Sequence, residues 1–315
     1  MQFPKQIQLE VVAPPILPGA VGLVQAVGVS AEAQGADVDL DEWLCVSSSA
    51  LMTYAFDPKL NRHEAADRYF SADGEWFSNY GVLESLGYFS GWHARDLNGP
   101  STEDLWKLVR YELALGRPLV SQGFGAKGVV LLTGYRDLPG VHEVTVTDGV
   151  TTWTFNLQNP PQGDSEVFVN YIITVRQGDP GLTSRSRQIE GVLRWTIDHG
   201  FGSKEFFHET RENYVPGLEG GKVISKLQLQ DPEEIEFFKN HVASRRRGRE
   251  AASRVLAQWA ELLEMSALQD AAKAFGEAAL CLDGTMPGYE RALEIETEGF
   301  THLKSIQDRL PPAFG

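Results

Sequence analysis

The chain has 315 residues and a formal net charge of −15, with 42% hydrophobic and 23% charged residues. This is ordinary globular composition, which excludes a disordered or fibrous chain. The acidic excess excludes a protein that coats nucleic acid, since neutralising phosphate needs a basic surface. The length suggests two domains.

Two cysteines, Cys45 and Cys281, cannot supply a disulfide framework, so the expectation is a reduced, cytoplasmic protein. Between Glu10 and Glu32 the sequence carries no charge, as a signal-peptide core would. Pro14, Pro15, Pro18, Gly19, Gly22 and Gly28 interrupt that run. It reads as an extended proline-containing segment leading into a buried helix. No other run approaches the roughly 18 apolar residues of a membrane span, so no membrane association is expected.

In chain order, Pro18 and Gly19 precede a helix striped by Val24, Val27 and Ala31 and stopped by Gly35. A second helix is expected over about 40–56, ending before Asp57-Pro58. A third, about 101–115, has Ser101 as its cap, a stripe of Leu105, Leu108 and Val109, and Gly116 as its stop. After Gly116 the pattern shortens to strands at 118–122, 128–135, 142–147, 151–157 and 166–175, separated by Gly, Pro and Asp. Consecutive strands with short links predict an antiparallel meander. From about 184 onward the pattern is helical. Ile189, Val192, Leu193 and Ile197 stripe one helix closed by Gly200. Asp231-Pro232-Glu233-Glu234 opens a second helix and Ser266 with Gln269 a third, and a last acidic helix spans Tyr289 to Leu310. Helices, then a meander, then helices predict an α+β chain, with domains at 1–178 and 184–315.

Several motifs invite a functional reading. Gly123-Phe124-Gly125-Ala126-Lys127-Gly128 fits the dinucleotide fingerprint, but a strand follows where the pyrophosphate needs a helix N-terminus. It reads as a strand connection, with no cofactor. His63 and Asp67 fall at i and i+4 like half of a zinc site, without an identifiable third ligand, so no metal is expected. Arg245-Arg246-Arg247-Gly248-Arg249 points in several helical directions, so most of it is expected to be solvated or paired with glutamate; an acidic or phosphate-bearing ligand is the alternative. Cys45 sits inside an apolar helical run, where cysteine behaves as a small hydrophobe. Ser47-Ser48-Ser49 lacks the strand–turn–helix context of a nucleophile elbow.

The strings GVVLLTGYRD and VTVTD, following three helices, resemble a papain-like fold. SSSALMTYAFDP resembles the small-residue and aromatic helix of one family with that fold, and REAASRVLAQWAELLEMSALQDAAKAFGEAA resembles its helical C-terminal region. More narrowly, the chain resembles the peptidase-like N-terminal domain of butirosin-type acyltransferases, relatives of the bacteriocin-processing cysteine peptidases that also carry an all-helical C-terminal region. The resemblance implies a Cys at the start of the first helix, a His opening the VLLTGY strand, and an Asp or Asn after the next strand. Those positions fall at Ala20-Val21-Gly22, at Lys127-Gly128 and at Asp148. Only Asp148 has the expected chemistry, and an orienting carboxylate without an imidazole and a thiolate cannot run acyl transfer.

The expectation is therefore a degenerate, non-catalytic papain-like protein that binds a small molecule, a peptide or an acyl-carrier-linked group in the ancestral cleft. Gln25, Tyr54, Trp76, Tyr135 and Asp148 are the candidate lining residues. One alternative is an active cysteine acyltransferase or peptidase with a relocated nucleophile, Cys45, served by His63 or His142. The other is an interaction protein whose helical half forms a homodimer.

Overall fold

A computed structural model describes residues 3–51, 54–56, 79–98, 101–122, 129–158, 171–179, 184–201, 214–230 and 232–311. The fold is α+β, and the chain divides into two compact units. The first comprises Met1–Pro18, Gly22–Leu40 and Leu86–Pro180; the second comprises Gly19–Val21, Asp41–Ser85 and Gly181–Gly315. The second unit thus draws on a stretch between the first helix and the sheet as well as on the C-terminal part.

The first unit is built on a sheet of β1 (Gln6–Gln8), β3 (Trp92–Asn98), β4 (Leu119–Gln122), β5 (Val129–Leu138), β6 (Val141–Thr147), β7 (Thr152–Asn156) and β8 (Tyr171–Gln177). Every pairing is antiparallel. The order is β3-β8-β4-β5-β6-β7, with β1 added to β5. The predicted meander therefore holds for β4 to β7 and fails at β8, which pairs with β3 and β4 instead of β7. Its Ile172, Ile173 and Val175 are buried, the mark of a strand covered on both faces.

Helix α4 (Thr102–Ala114) covers this sheet. Ser101 caps it by accepting from the Asp104 N–H, and Leu105, Trp106, Val109 and Leu113 pack on Leu119, Val130, Leu132, Tyr135, Val144 and Val146. Helix α1 (Gly19–Glu32) is apolar around its circumference, with Leu23, Val24, Ala26 and Val27 fully buried. Its Ser30 hydroxyl donates to the Pro118 carbonyl at 2.6 Å, and the Gln34 amide to Val175 O at 3.0 Å, tying the helix to the sheet strands. Helix α3 (Asn79–Ser90) and β3 carry no strong sequence period and were not foreseen.

Gly134 serves the edge strand. A Cβ there would lie 2.9 Å from Ile7 O, so the TGY glycine is what lets β1 dock on β5. Next to it the β5–β6 register shifts between Leu132 and Gly134, which leaves Thr133 O to accept from the Leu9 N–H at 2.8 Å.

The second unit is mostly helical. It contains α2 (Leu40–Val46), α5 (Arg185–Gly200), α6 (Gly217–Ile224), α7 (Pro232–Leu263), α8 (Ser266–Cys281) and α9 (Met286–Lys304), with a two-stranded ladder of β2 (Tyr54–Phe56) and β9 (Tyr214–Pro216). The helix expected over about 40–56 ends at Val46. Ser48 takes a left-handed φ of 60°, and the Ser47 hydroxyl donates to Leu44 O at 3.1 Å and lies 3.0 Å from Ser49 Oγ. Serine hydroxyls compete with helical hydrogen bonding in this way. Ser266 opens α8 as its first residue, not its cap, which is Met265. The last helix begins three residues before Tyr289, capped by Thr285 accepting from the Gly288 N–H.

Candidate functional site

The start of α1 is where the resemblance places a nucleophile. Ala20 and Val21 are buried there, and neither carries a group that can attack a carbonyl. Gly22 is locked by its surroundings, because a Cβ at this position would lie 1.4 Å from Leu17 O. The backbone before the helix folds tightly against its first turn. Gln25 holds that fold: 5% exposed, its Oε1 accepts from the Leu17 N–H at 3.0 Å. A polar residue inside an apolar helix thus has a local partner for its oxygen.

Asp148 stands at the turn from β6 to β7. Its Oδ1 accepts from the Val150 N–H at 2.9 Å and the Thr151 N–H at 2.7 Å, and its carboxylate also meets Thr151 Oγ1 at 3.1 and 3.2 Å. This is an Asx turn, in which a short carboxylate replaces missing backbone partners. Its carbonyl accepts from the Ile16 N–H at 2.8 Å, so the proline segment lies against the same turn. The base position, Lys127-Gly128, lies outside the described residues.

The remaining predicted residues separate by environment. Tyr135 is 2% exposed in the core of the first unit, and its hydroxyl donates to Pro4 O at 2.8 Å. Burial raises its phenol above the ordinary tyrosine range, opposed by the Arg110 guanidinium. Cys45 is a buried thiol in α2, 6% exposed, in the second unit. His142 belongs to the first unit. The backbone of Tyr54 lies in β2; its side chain, and the whole of His63, Asp67 and Trp76, lie outside the described residues.

The surroundings of His142 were not foreseen. Gly140, at φ 74°, closes a tight turn after Pro139, as glycine does behind proline in a type II turn. The resulting register sets Asp137 opposite His142 and Arg136 opposite Glu143. His142 Nδ1 lies 3.8 Å from Asp137 Oδ1, and its ring stacks on Trp106 at 4.3 Å and 11°. Arg110 Nη1 approaches Asp137 Oδ2 at 3.5 Å. Among the described residues, no hydrogen bond joins this imidazole to a hydroxyl or thiol nucleophile. The hint was the string DLPGVH, whose Pro-Gly fixes the register that the shorter predicted strands left as a loop.

In the basic cluster of α7, three of the four arginines pair with glutamate, as expected, and two of those pairs are buried. Arg245 and Arg249 are buried, at 2% and 1% side-chain exposure, and both engage Glu296 of α9, at 0%. Arg249 Nη1 also donates to Ala50 O at 2.6 Å. Arg246 pairs on the surface with Glu250 at 2.9 Å, and Arg247 pairs with Asp41. Two of the four arginines are thus interior struts and not solvated charges, because Glu296 gives both guanidiniums one carboxylate.

Among the described residues, no group of three or more His, Cys, Asp or Glu side chains could hold a metal ion, and no helix is long and apolar enough to cross a membrane. No family model matches the chain, and no curated protein matches it either.

Proposed function

We propose that the chain is a degenerate papain-like protein, of the butirosin-type acyltransferase kind, that acts by recognition and not by thiol chemistry. The observation that carries this reading is the start of α1. Its residues are Ala20, Val21 and Gly22, and the last has no room for any side chain beside the Leu17 carbonyl. A cysteine cannot simply be restored at Gly22. Asp148, the surviving member of the expected triad, spends its carboxylate on its own turn. A single helix tied to an antiparallel sheet through Ser30 and Gln34 is in keeping with the papain-like arrangement. The ligand classes that suit this ancestry are a peptide, a small molecule or an acyl group.

Incubation of the whole chain with an acyl N-acetylcysteamine thioester, followed by intact-mass measurement, tests the reading. The expected result is an unmodified mass. An acyl adduct that forms in the wild type and is lost in Cys45→Ser establishes the relocated-nucleophile enzyme and overturns it.

A further inference from the structure

The two ends of the sheet order are unlike. At one end, β3 carries His93 and Arg95, both exposed, and charges of this kind keep a strand edge from pairing with another chain. At the other end, β7 reads Thr-Trp-Thr-Phe-Asn. It has no charge and no proline, and it runs against β6 from Thr152 to Asn156 without a register shift. Charge, proline and bulge are the usual means of blunting an edge, and β7 uses none of them.

The hydrogen bonds at the ends of β7 show which of its backbone groups face outward. The Asp148 N–H donates to Thr151 O at 3.3 Å and the Leu157 N–H to His142 O at 2.7 Å, so residues 151 and 157 turn toward β6. An antiparallel ladder alternates. Trp153 and Phe155 therefore also turn toward β6, while Thr152, Thr154 and Asn156 direct their N–H and C=O groups away from it. Among the described residues, no strand takes up these outward groups. The side chains of Thr152 and Thr154 are exposed, and those of Trp153 and Phe155 lie on the other face, with the core that α4 covers.

This edge is complementary to itself. Laid antiparallel to a second β7 about a two-fold axis at Thr154, each Thr154 meets Thr154 of the partner subunit, and Thr152 meets Asn156 of the partner subunit. Both pairs join outward-facing positions, so each exchanges both of its backbone bonds. Between them Trp153 comes opposite Phe155 of the partner subunit in a non-hydrogen-bonded pair, where side chains approach most closely and two aromatic rings stabilise the sheet. A chain of net charge −15 repels its own copy, and β7 brings no charge to the contact. We propose that β7 pairs with β7 of a second copy of this chain, joining two sheets into one across an isologous interface. This inference does not rest on the papain-like reading, and it puts the contact on the sheet and not on the helical half.

The test is sedimentation velocity of the whole chain over about 1–100 μM, with hydrogen exchange of the β7 peptide followed over the same range. A monomer–dimer equilibrium is expected, and exchange in β7 slows as the dimer fills. Thr154→Pro removes an outward donor from each copy and is expected to raise the dissociation constant about tenfold or more. Thr154→Lys sets two like charges face to face and raises it about threefold or more. Thr154→Lys changes only an exposed side chain, so the test survives if Thr154→Pro disturbs the fold. Arg95→Thr, on the opposite edge, leaves the constant unchanged. The pairing is overturned if the chain is a monomer at every concentration, or if both Thr154 variants dimerise like the wild type. It is equally overturned if exchange in β7 does not change with concentration.

Discussion

Arg249 and Glu296 meet in the interior of the helical unit, with Nε to Oε1 at 2.8 Å and Nη2 to Oε2 at 3.0 Å. Arg245 Nε reaches the same Oε1 at 2.9 Å, and its Nη1 donates to the Tyr289 hydroxyl at 2.5 Å. Burial alone would push the Glu296 carboxyl up, but the two guanidiniums outweigh it and hold the group at about 2. Removing that carboxylate strands two buried cations. Glu296→Gln is expected to cost about 3–5 kcal/mol, whereas Glu250→Gln, on the exposed pair with Arg246, costs about 0.5 kcal/mol or less. Urea unfolding of both variants makes the comparison.

The same pair sets an acid limit. A carboxyl held at about 2 in the folded state, against an ordinary 4.5, stabilises the fold fully above the unfolded value. That contribution is lost as pH falls from 4.5 toward about 2. The urea-midpoint advantage of the wild type over Glu296→Gln therefore narrows across that window and is constant above it.

Gly22→Ala places a methyl group 1.4 Å from a backbone oxygen. The backbone has to move, at a cost of about 3 kcal/mol or more, seen as a large drop in thermal midpoint. Gly35→Ala makes the contrast. There the Cβ meets nothing within 4 Å and only the φ of 92° is strained, so the loss is about 1–2 kcal/mol.

Asp148→Ala removes the acceptor for the Val150 and Thr151 N–H groups and costs about 1–2 kcal/mol. Asp148→Asn keeps an acceptor oxygen and costs less. Denaturant midpoints for the two variants separate this turn role from one that depends on the negative charge.

The chain's periodic parts were legible. The stripe of α4, the Ser101 cap and the strands from Leu119 to Asn156 follow from spacing and turn residues, because burial on one face imposes a period. The break in α2 was not legible, since nothing in an apolar run announces that the Ser47 hydroxyl will turn back on Leu44 O and end it. Nor was the position of β8, because sheet order depends on which edge a strand finds. At the candidate site, the absence of a nucleophile at Ala20–Gly22 was plain from the sequence. The closure of Gly22 on Leu17, the Asx turn of Asp148 and the burial of Tyr135 required the fold. The glutamate pairing of the basic run was legible, but the burial of Arg245 and Arg249 was not, because their partner lies far along the chain, 51 residues away in the case of Arg245.

The central claim is that the native chain holds no activated thiol. Cysteine labelling by iodoacetamide at neutral pH, resolved by peptide mass, tests it most directly. Cys45, 6% exposed, is expected to label at least about 100-fold more slowly in the native chain than in the unfolded one. Cys281, at intermediate exposure, is expected to label first. Faster labelling of Cys45 in the native chain than in the unfolded chain would reveal a thiolate stabilised by the fold and would contradict the account.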